Sequence, residues 1–243
     1  MPELPAIPAR ANVGMRRVLG LALCCAVFLP NARGQDSAAP AAAPAAAPAA
    51  SAEATAGQFD EAAALVSRLH ETLLSVMQQA GDLGYAGRYR VLEPVITAAF
   101  DTPLIVKVIL SSHWGELDAT QQTDFTQLFR KLSVATYASR FAGFDNETFT
   151  EISREALNRG RLLIKTELRR PNNKPVRLDY LMHRAEDGQW RIISVIANGV
   201  NDLSLKRAEY AVVIKERGFD ALTADIDRKI KDMEGGVVQA DAL

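Results

Sequence analysis

Between Arg161 and Asn198 the chain alternates apolar and polar residues three times in succession, and that alternation constrains the fold more than anything else in the sequence. Leu162, Ile164, Thr166 and Leu168 share one side of a first predicted strand, Arg161–Arg169, against Arg161, Lys165, Glu167 and Arg169 on the other; only Leu163 breaks the period of two. A second strand, Val176–Arg184, sets Val176, Leu178, Tyr180 and Met182 against Arg177, Asp179 and His183. In a third, Gln189–Asn198, Trp190, Ile192 and Ile196 face one way while Ile193 and Val195 face the other, so apolar cover on both faces is expected there. The intervening segments, Arg170–Pro175 and Glu186-Asp187-Gly188, carry the turn residues of antiparallel hairpins. A curved antiparallel meander with one continuous apolar face follows.

Helical periodicity surrounds this sheet. Phe59, Ala62, Leu65, Val66, Leu69, Leu73 and Val76 recur at 3.6 residues from Gln58 to near Gly81. A glycine-punctuated stretch, Gly81–Arg90, then precedes two short helices, Leu92–Phe100 and Thr102–Leu110. Asp118-Ala119-Thr120-Gln121 reads as a capping box opening a helix whose stripe is Phe125, Leu128, Phe129, Leu132, Tyr137 and Phe141, aromatics suited either to a core or to a ligand. A strand at Thr148–Ile152 is expected before the meander. After it come two helices, marked by Leu203, Leu205, Tyr210, Val213 and Ile214 and by Phe219, Leu222, Ile226 and Ile230, with Gly218 between them. The fold class is α+β: a curved antiparallel meander packed against several α-helices.

The N-terminal region reads differently. Met15-Arg16-Arg17, the apolar run Val18–Leu29 and Ala32-Arg33-Gly34 have the charge, length and small residues of a cleavable export signal, with Met15 an alternative start. The expected organisation is therefore a signal peptide at 1–34, an Ala/Pro-rich linker at 35–57, a folded domain at 58–233 and a disordered tail at 234–243. Pro40, Pro44 and Pro48 interrupt the alanines of the linker, which serves either as an envelope spacer or as a plain disordered leader. Cys24 and Cys25 both lie in the signal, leaving no thiol for a disulfide, a metal or nucleophilic catalysis in a mature chain. Loss of four arginines and one glutamate with the leader takes the net charge from −1 to −4, which gives no electrostatic footing for nucleic acid or anionic membrane surfaces. No uninterrupted apolar run reaches roughly 20 residues.

Catalytic patterns are absent from the sequence: it has no phosphate-binding glycine loop, no Gly-x-Ser-x-Gly elbow and no His-Glu-x-x-His helix. His70, His113 and His183 are isolated from one another and read as surface or structural residues, with His183 on the solvent side of its strand. Asp179 is placed to pair with Arg177 or Arg191 across the sheet. No enzyme, metal or cofactor is indicated.

Four segments in fixed order carry a resemblance: Pro175-Val176-Arg177-Leu178-Asp179-Tyr180, Gly188-Gln189-Trp190-Arg191-Ile192, Asn198-Gly199-Val200-Asn201-Asp202-Leu203 and Arg217-Gly218-Phe219-Asp220-Ala221-Leu222. They are similar to the MlaC-like periplasmic lipid-shuttle proteins, also called toluene-tolerance auxiliary proteins, and especially to the branch associated with hopanoid biosynthesis. The resemblance spans Gln58–Asp232 and departs from the family in the long linker and in Asn201, where relatives often carry Ser. It implies a sheet-and-helix fold enclosing an apolar cavity, and a monomeric periplasmic carrier of phospholipid or a hopanoid-like lipid serving a membrane-bound ABC-type transport system. A diacyl lipid exposes tens of methylenes, each worth about 0.8 kcal/mol on burial, so a dry cavity is the physical requirement and a catalytic group is not. The expected lipid-binding residues are the inward strand positions Leu162, Ile164, Leu168, Leu178, Tyr180, Met182, Ile192 and Ile196 together with Phe129 and Phe141. Gly81–Arg90 and Ser111–Leu117 are expected to open for loading. The alternatives are a pocket-bearing enzyme on a similar scaffold and a non-catalytic envelope adaptor.

Overall fold

The computed structural model describes residues 49–236; the leader, most of the linker and the end of the tail lie outside the described residues. Six α-helices surround one open sheet: α1 Ala49–Gln78, α2 Ala80–Ala99, α3 Thr102–Leu110, α4 Ala119–Arg140, α5 Asp202–Arg217 and α6 Phe219–Glu234. The strands β1 Thr148–Leu157, β2 Arg161–Arg169, β3 Val176–Arg184, β4 Trp190–Ala197 and β5 Val200–Asn201 pair antiparallel in chain order. The α+β class and the meander are as the alternation predicts, since two-residue periodicity and hairpin turns are local properties.

Register explains the inner face. Leu162 lies opposite Met182, Ile164 opposite Tyr180, Thr166 opposite Leu178 and Leu168 opposite Val176. All eight are buried, and the single polar member is satisfied because the Thr166 hydroxyl donates to the Leu178 carbonyl at 2.8 Å. At the sheet edge, β1 is exposed along nearly its whole length; a bulge between Glu151 and Ser153 and the charges of Glu151 and Arg154 keep it from pairing with a further strand.

Four expectations are corrected. Helix α1 begins at Ala49 rather than Gln58: Pro48 is the last proline of the linker, and the Ala-rich run that follows it has nothing to stop a helix. Gly81–Arg90 is helical rather than a loose connection, broken only at Gly84 with φ 58°. The segment Ser111–Glu116 is a 3-10 helix, held by the Gln122 side-chain amide donating to the carbonyls of Trp114 and Leu117 at 3.0 and 3.2 Å. The strand expected at Thr148–Ile152 runs on to Leu157. By contrast, the capping box at Asp118 forms in full, with Asp118 accepting from the Gln121 N–H at 2.8 Å and Gln121 accepting from the Asp118 N–H at 3.0 Å.

The interior is two apolar clusters rather than one. The first joins α1 and α2 to the inner face of the sheet and takes Val134, Ala138 and Phe141 from α4. The second joins α3, α5 and α6 to Phe125, Phe129, Leu132 and Ala135 of the same helix. Helix α4 thus presents one stripe to each cluster and forms the wall between them.

Arg88 secures this wall. It is buried, with Nε donating to the Ala138 carbonyl at 2.9 Å and Nη1 to the Ala80 carbonyl at 3.0 Å. Ala138 lies in the last turn of α4, whose carbonyls carry partial negative charge, and Ala80 is the first residue of α2, one turn before the Gly84 break. No carboxylate pairs with Arg88 among the described residues.

Candidate functional site

Between the two clusters lies a cavity of about 270 Å³. Phe141, Leu178 and Tyr180 reach it from the first cluster, and Ile105, Ile109, Phe129 and Leu132 from the second. Its mouth is formed by the N-terminal end of α5 and the short strand before it, where Val200, Asp202, Leu203, Leu205 and Lys206 line the opening. Val200 and Leu205 are both more than half exposed, which leaves an apolar rim facing solvent. The walls are largely apolar and aromatic; away from the mouth the lining also includes Ser133, Thr136, Arg140 and Ser194. Tyr137 stacks on Phe141 with ring centroids 5.6 Å apart and meets Phe100 edge-on at 5.9 Å, giving the inner end of the cavity a firm aromatic lining.

The rim is tied down by one side chain. Asn201 Oδ1 accepts from the Ser194 hydroxyl of β4 and from the Ser204 N–H of α5, each at 3.1 Å, so it caps α5 and fixes the helix to the sheet at once. The preceding turn needs left-handed backbone at both Asn198 (φ 49°) and Gly199 (φ 85°), the hairpin geometry that Asn-Gly favours.

The ten residues expected to bind a ligand divide by position. Phe129, Phe141, Leu178 and Tyr180 line the cavity. Leu162, Ile164, Leu168, Met182 and Ile192 are buried in the first cluster, behind the wall rather than at it. Ile196 sits on the opposite face of the sheet. The cause is a register shift at Leu181/Met182: Met182 pairs with Ile192, but Tyr180 pairs with Val195 and Leu178 with Ala197, so Ile196 falls opposite Asp179. The expected facing of β4 therefore holds at Trp190 and Ile192 and inverts beyond the bulge, bringing Val195 and Ala197 into the cavity. Lining residues on α3, Ile105 and Ile109, carried a sequence signal in their i, i+4 spacing; those at the start of α5 carried none that distinguished them from an ordinary helix face.

Two of the histidines, His183 and His70, are structural nodes, while His113, among the described residues, pairs only with the nearby, exposed Glu116. His183 is partly buried on the outer face of the sheet, and its Nε2 lies 2.7 Å from Asp101, whose other oxygen caps α3 by accepting from Leu104 N–H at 3.0 Å. The backbone N–H of Asp101 donates to Ile192 at 3.0 Å, so the α2–α3 junction is bolted to the sheet. Asp179 pairs with Arg177 at 3.4 Å, whereas Arg191 is engaged by Asp187. His70 is buried against the sheet, stacked on Phe149 at 3.9 Å, with its Nε2 2.9 Å from the hydroxyl of Tyr180. Burial lowers its pKa from 6.5 to about 4 and raises that of Tyr180 well above its usual value.

That shift has a sign. In the unfolded chain His70 takes up a proton near pH 6.5, but in the folded protein only near pH 4. Between those values the unfolded state binds more protons, so this contribution to stability is complete above pH 6.5 and is lost as pH falls toward 4. The expected loss is about 3 kcal/mol across that window. Urea unfolding at pH 7.5 and pH 4.5 should show a shallower acid dependence for His70→Gln than for the unmodified protein. Equal slopes would count against this assignment.

Among the described residues, no helix is long and apolar enough to cross a membrane, and no group of three or more His, Cys, Asp or Glu side chains is placed to hold a metal. The family model described as MlaC protein matches residues 67–228, two thirds of the chain. A solved structure of similar fold is the phospholipid-binding protein from Ralstonia solanacearum, determined in complex with a phospholipid. It is 20% identical, with a TM-score of 0.62, and the match covers 71% of this chain and 98% of that one.

Proposed function

The chain belongs to the MlaC family, and on that premise we propose that it is a non-catalytic carrier that takes up phospholipid or a hopanoid-like lipid in the periplasm and passes it between membranes. The observation that carries this reading is the apolar cavity between the two clusters, walled by Phe129, Phe141, Leu178 and Tyr180 and open beside the N-terminal end of α5. It is supported by a solved relative in fold that holds a phospholipid. Its partners in this reading are an ABC-type membrane complex that loads or unloads the lipid, and residues 1–34 are the export signal that delivers the chain to them.

The cavity as it stands is smaller than the 300–1,000 Å³ typical of small-molecule sites, so a diacyl lipid requires it to widen. Widening along the seam between the two clusters, which share only the partly buried Tyr85, Tyr89 and Phe100, leaves the fully buried residues of each in place, whereas widening within a core would break close packing. The side that moves in this reading is the second cluster as a unit, α3, α5 and α6, whose tie to the sheet at the mouth is Asn201, and not the Gly81–Arg90 stretch that Arg88 fixes.

Protein purified from the periplasmic fraction, extracted and examined by mass spectrometry, should yield near-stoichiometric phospholipid or hopanoid, and its intact mass should place the mature N-terminus at or close to Gln35. Protein that is folded, monomeric and free of lipid after mild purification would remove the carrier reading and favour an envelope adaptor.

A further inference from the structure

The α5 side of the mouth is held to the sheet by few contacts. Of the described residues of α5, Tyr210 is the one that is buried, so the first two turns, which bring Leu203, Leu205 and Lys206 to the mouth, are without a fully buried side chain. The short strand before them pairs with β4 through two residues, Val200 opposite Ala197 and Asn201 opposite Ile196. To that pairing is added the hydrogen bond that the buried Ser194 hydroxyl donates to Asn201 Oδ1 at 3.1 Å.

This bond stands between a fixed point and a movable body. Three residues before Asn201, Asn198 is fastened twice to β3: its N–H donates to the Arg177 carbonyl and its Oδ1 accepts from the Arg177 N–H, each at 2.9 Å. Beyond Asn201, the Arg207 guanidinium donates to the Ser111 hydroxyl at 2.8 Å, which joins α5 to the end of α3. From this arrangement we infer that the Ser194–Asn201 hydrogen bond is a latch on the mouth, which sets how fast cargo enters and leaves rather than how tightly it is held. The inference rests on the carrier reading and adds to it the control of exchange.

The chemistry suits a bond that breaks and re-forms. Both partners are neutral, so parting them strands no buried charge. Asn201 Oδ1 also accepts from the Ser204 N–H at 3.1 Å, within the same turn, so α5 stays capped while the mouth is open. A neutral hydrogen bond of this kind corresponds to about fivefold in an equilibrium. It is made in the closed mouth, loaded or empty, and lost in the open one, so it slows entry and exit alike and cancels from the affinity.

The test uses the full-length mature protein, a dansyl-labelled phosphatidylglycerol as probe and vesicles of dioleoylphosphatidylcholine, with loading and release followed separately by stopped flow. Ser194→Ala removes the donor and leaves the cap of α5 in place. Both rates should rise about fivefold, while the share of probe on the protein at equilibrium changes less than twofold. Ser194→Thr, which keeps a hydroxyl on the same carbon, should return both rates to those of the unmodified protein. In the empty protein, amide exchange across residues 200–201 should also rise about fivefold in Ser194→Ala, with Arg177 and Asn198 unchanged. Faster release without faster loading would overturn the latch, since it marks Ser194 as a direct contact to the cargo, and so would unchanged rates or unchanged exchange across residues 200–201. Failure of the unmodified protein to take up the probe would overturn the carrier reading itself, an outcome that the exchange measurement, made without cargo, keeps apart from failure of the latch.

Discussion

Leu178→Asp is expected to purify without bound lipid. Leu178 is 3% exposed, lines the cavity and lies opposite Ala197 in the adjoining strand. A carboxylate there would stand where acyl methylenes are to pack, and burying it without a cationic partner costs several kcal/mol. About 2.8 kcal/mol already corresponds to a hundredfold loss of affinity, so copurifying lipid should fall below detection. The same charge could unfold the sheet, and a second variant answers that. Ala197→Trp places an indole in the cavity from a half-buried position without introducing a charge. It should fold, as shown by an unchanged far-ultraviolet dichroism spectrum, and should also lose lipid, because the roughly 270 Å³ space becomes occupied from within. A folded Ala197→Trp protein carrying a full complement of lipid would show that acyl chains bind elsewhere.

Arg88→Met should cost about 3 kcal/mol of stability. The reasoning turns on what remains after the side chain is gone. Replacing both members of a buried ion pair by apolar groups is often harmless, since the desolvation of two charges is relieved. Here the partners are the main-chain carbonyls of Ala80 and Ala138, which cannot be removed and would be left without their donors. Each bond to a charged donor contributes roughly 1.5–3 kcal/mol, and relief of the buried guanidinium offsets part of the total. For a domain of this size the melting midpoint should fall by about 6–12 °C. The Gly84 break should also loosen, so amide exchange at residues 80–90 should rise more than elsewhere. A midpoint within about 2 °C of the unmodified protein would show that water replaces Arg88 at these carbonyls without penalty.

The contrast between these two sites follows from how each is built. Leu178 is one position in a regular strand, and its inward direction could be read from the alternation of Val176, Leu178, Tyr180 and Met182. The importance of Arg88 could not, because a single arginine among glycines has no periodic partner in the sequence. Its two acceptors lie 8 and 50 residues away. The glycines of Gly81–Arg90 suggest an irregular connection, yet the stretch is helical apart from Gly84, because a long-range hydrogen bond overrides a local propensity that is worth only about 1 kcal/mol per glycine. His183 shows the same limit: strand periodicity puts it on the polar face, where it lies, but cannot reveal that Asp101, 82 residues earlier, comes to meet it there.

What the sequence determined by itself are the features whose physics is short-ranged. The ends of β2 and β3, the Asp118 capping box and the stop between α5 and α6 at Gly218, whose φ of 85° suits glycine, each depend on residues within a few positions of one another. The family resemblance also rests on such local segments. The location of the cavity was decided only by the tertiary structure. It lies at a seam, because α4 gives Val134, Ala138 and Phe141 to one cluster and Phe125, Phe129 and Leu132 to the other, and two cores that close separately leave space where they meet. Its walls come from α3, α4, β3, β4, β5 and α5, with Phe100 and Phe141 just beyond the ends of α2 and α4, spread over a hundred residues of chain. A single bulge in β4 then settles which half of that strand faces inward, and a one-residue shift in pairing exchanges Ile196 for Val195 and Ala197 because side chains alternate at a period of two.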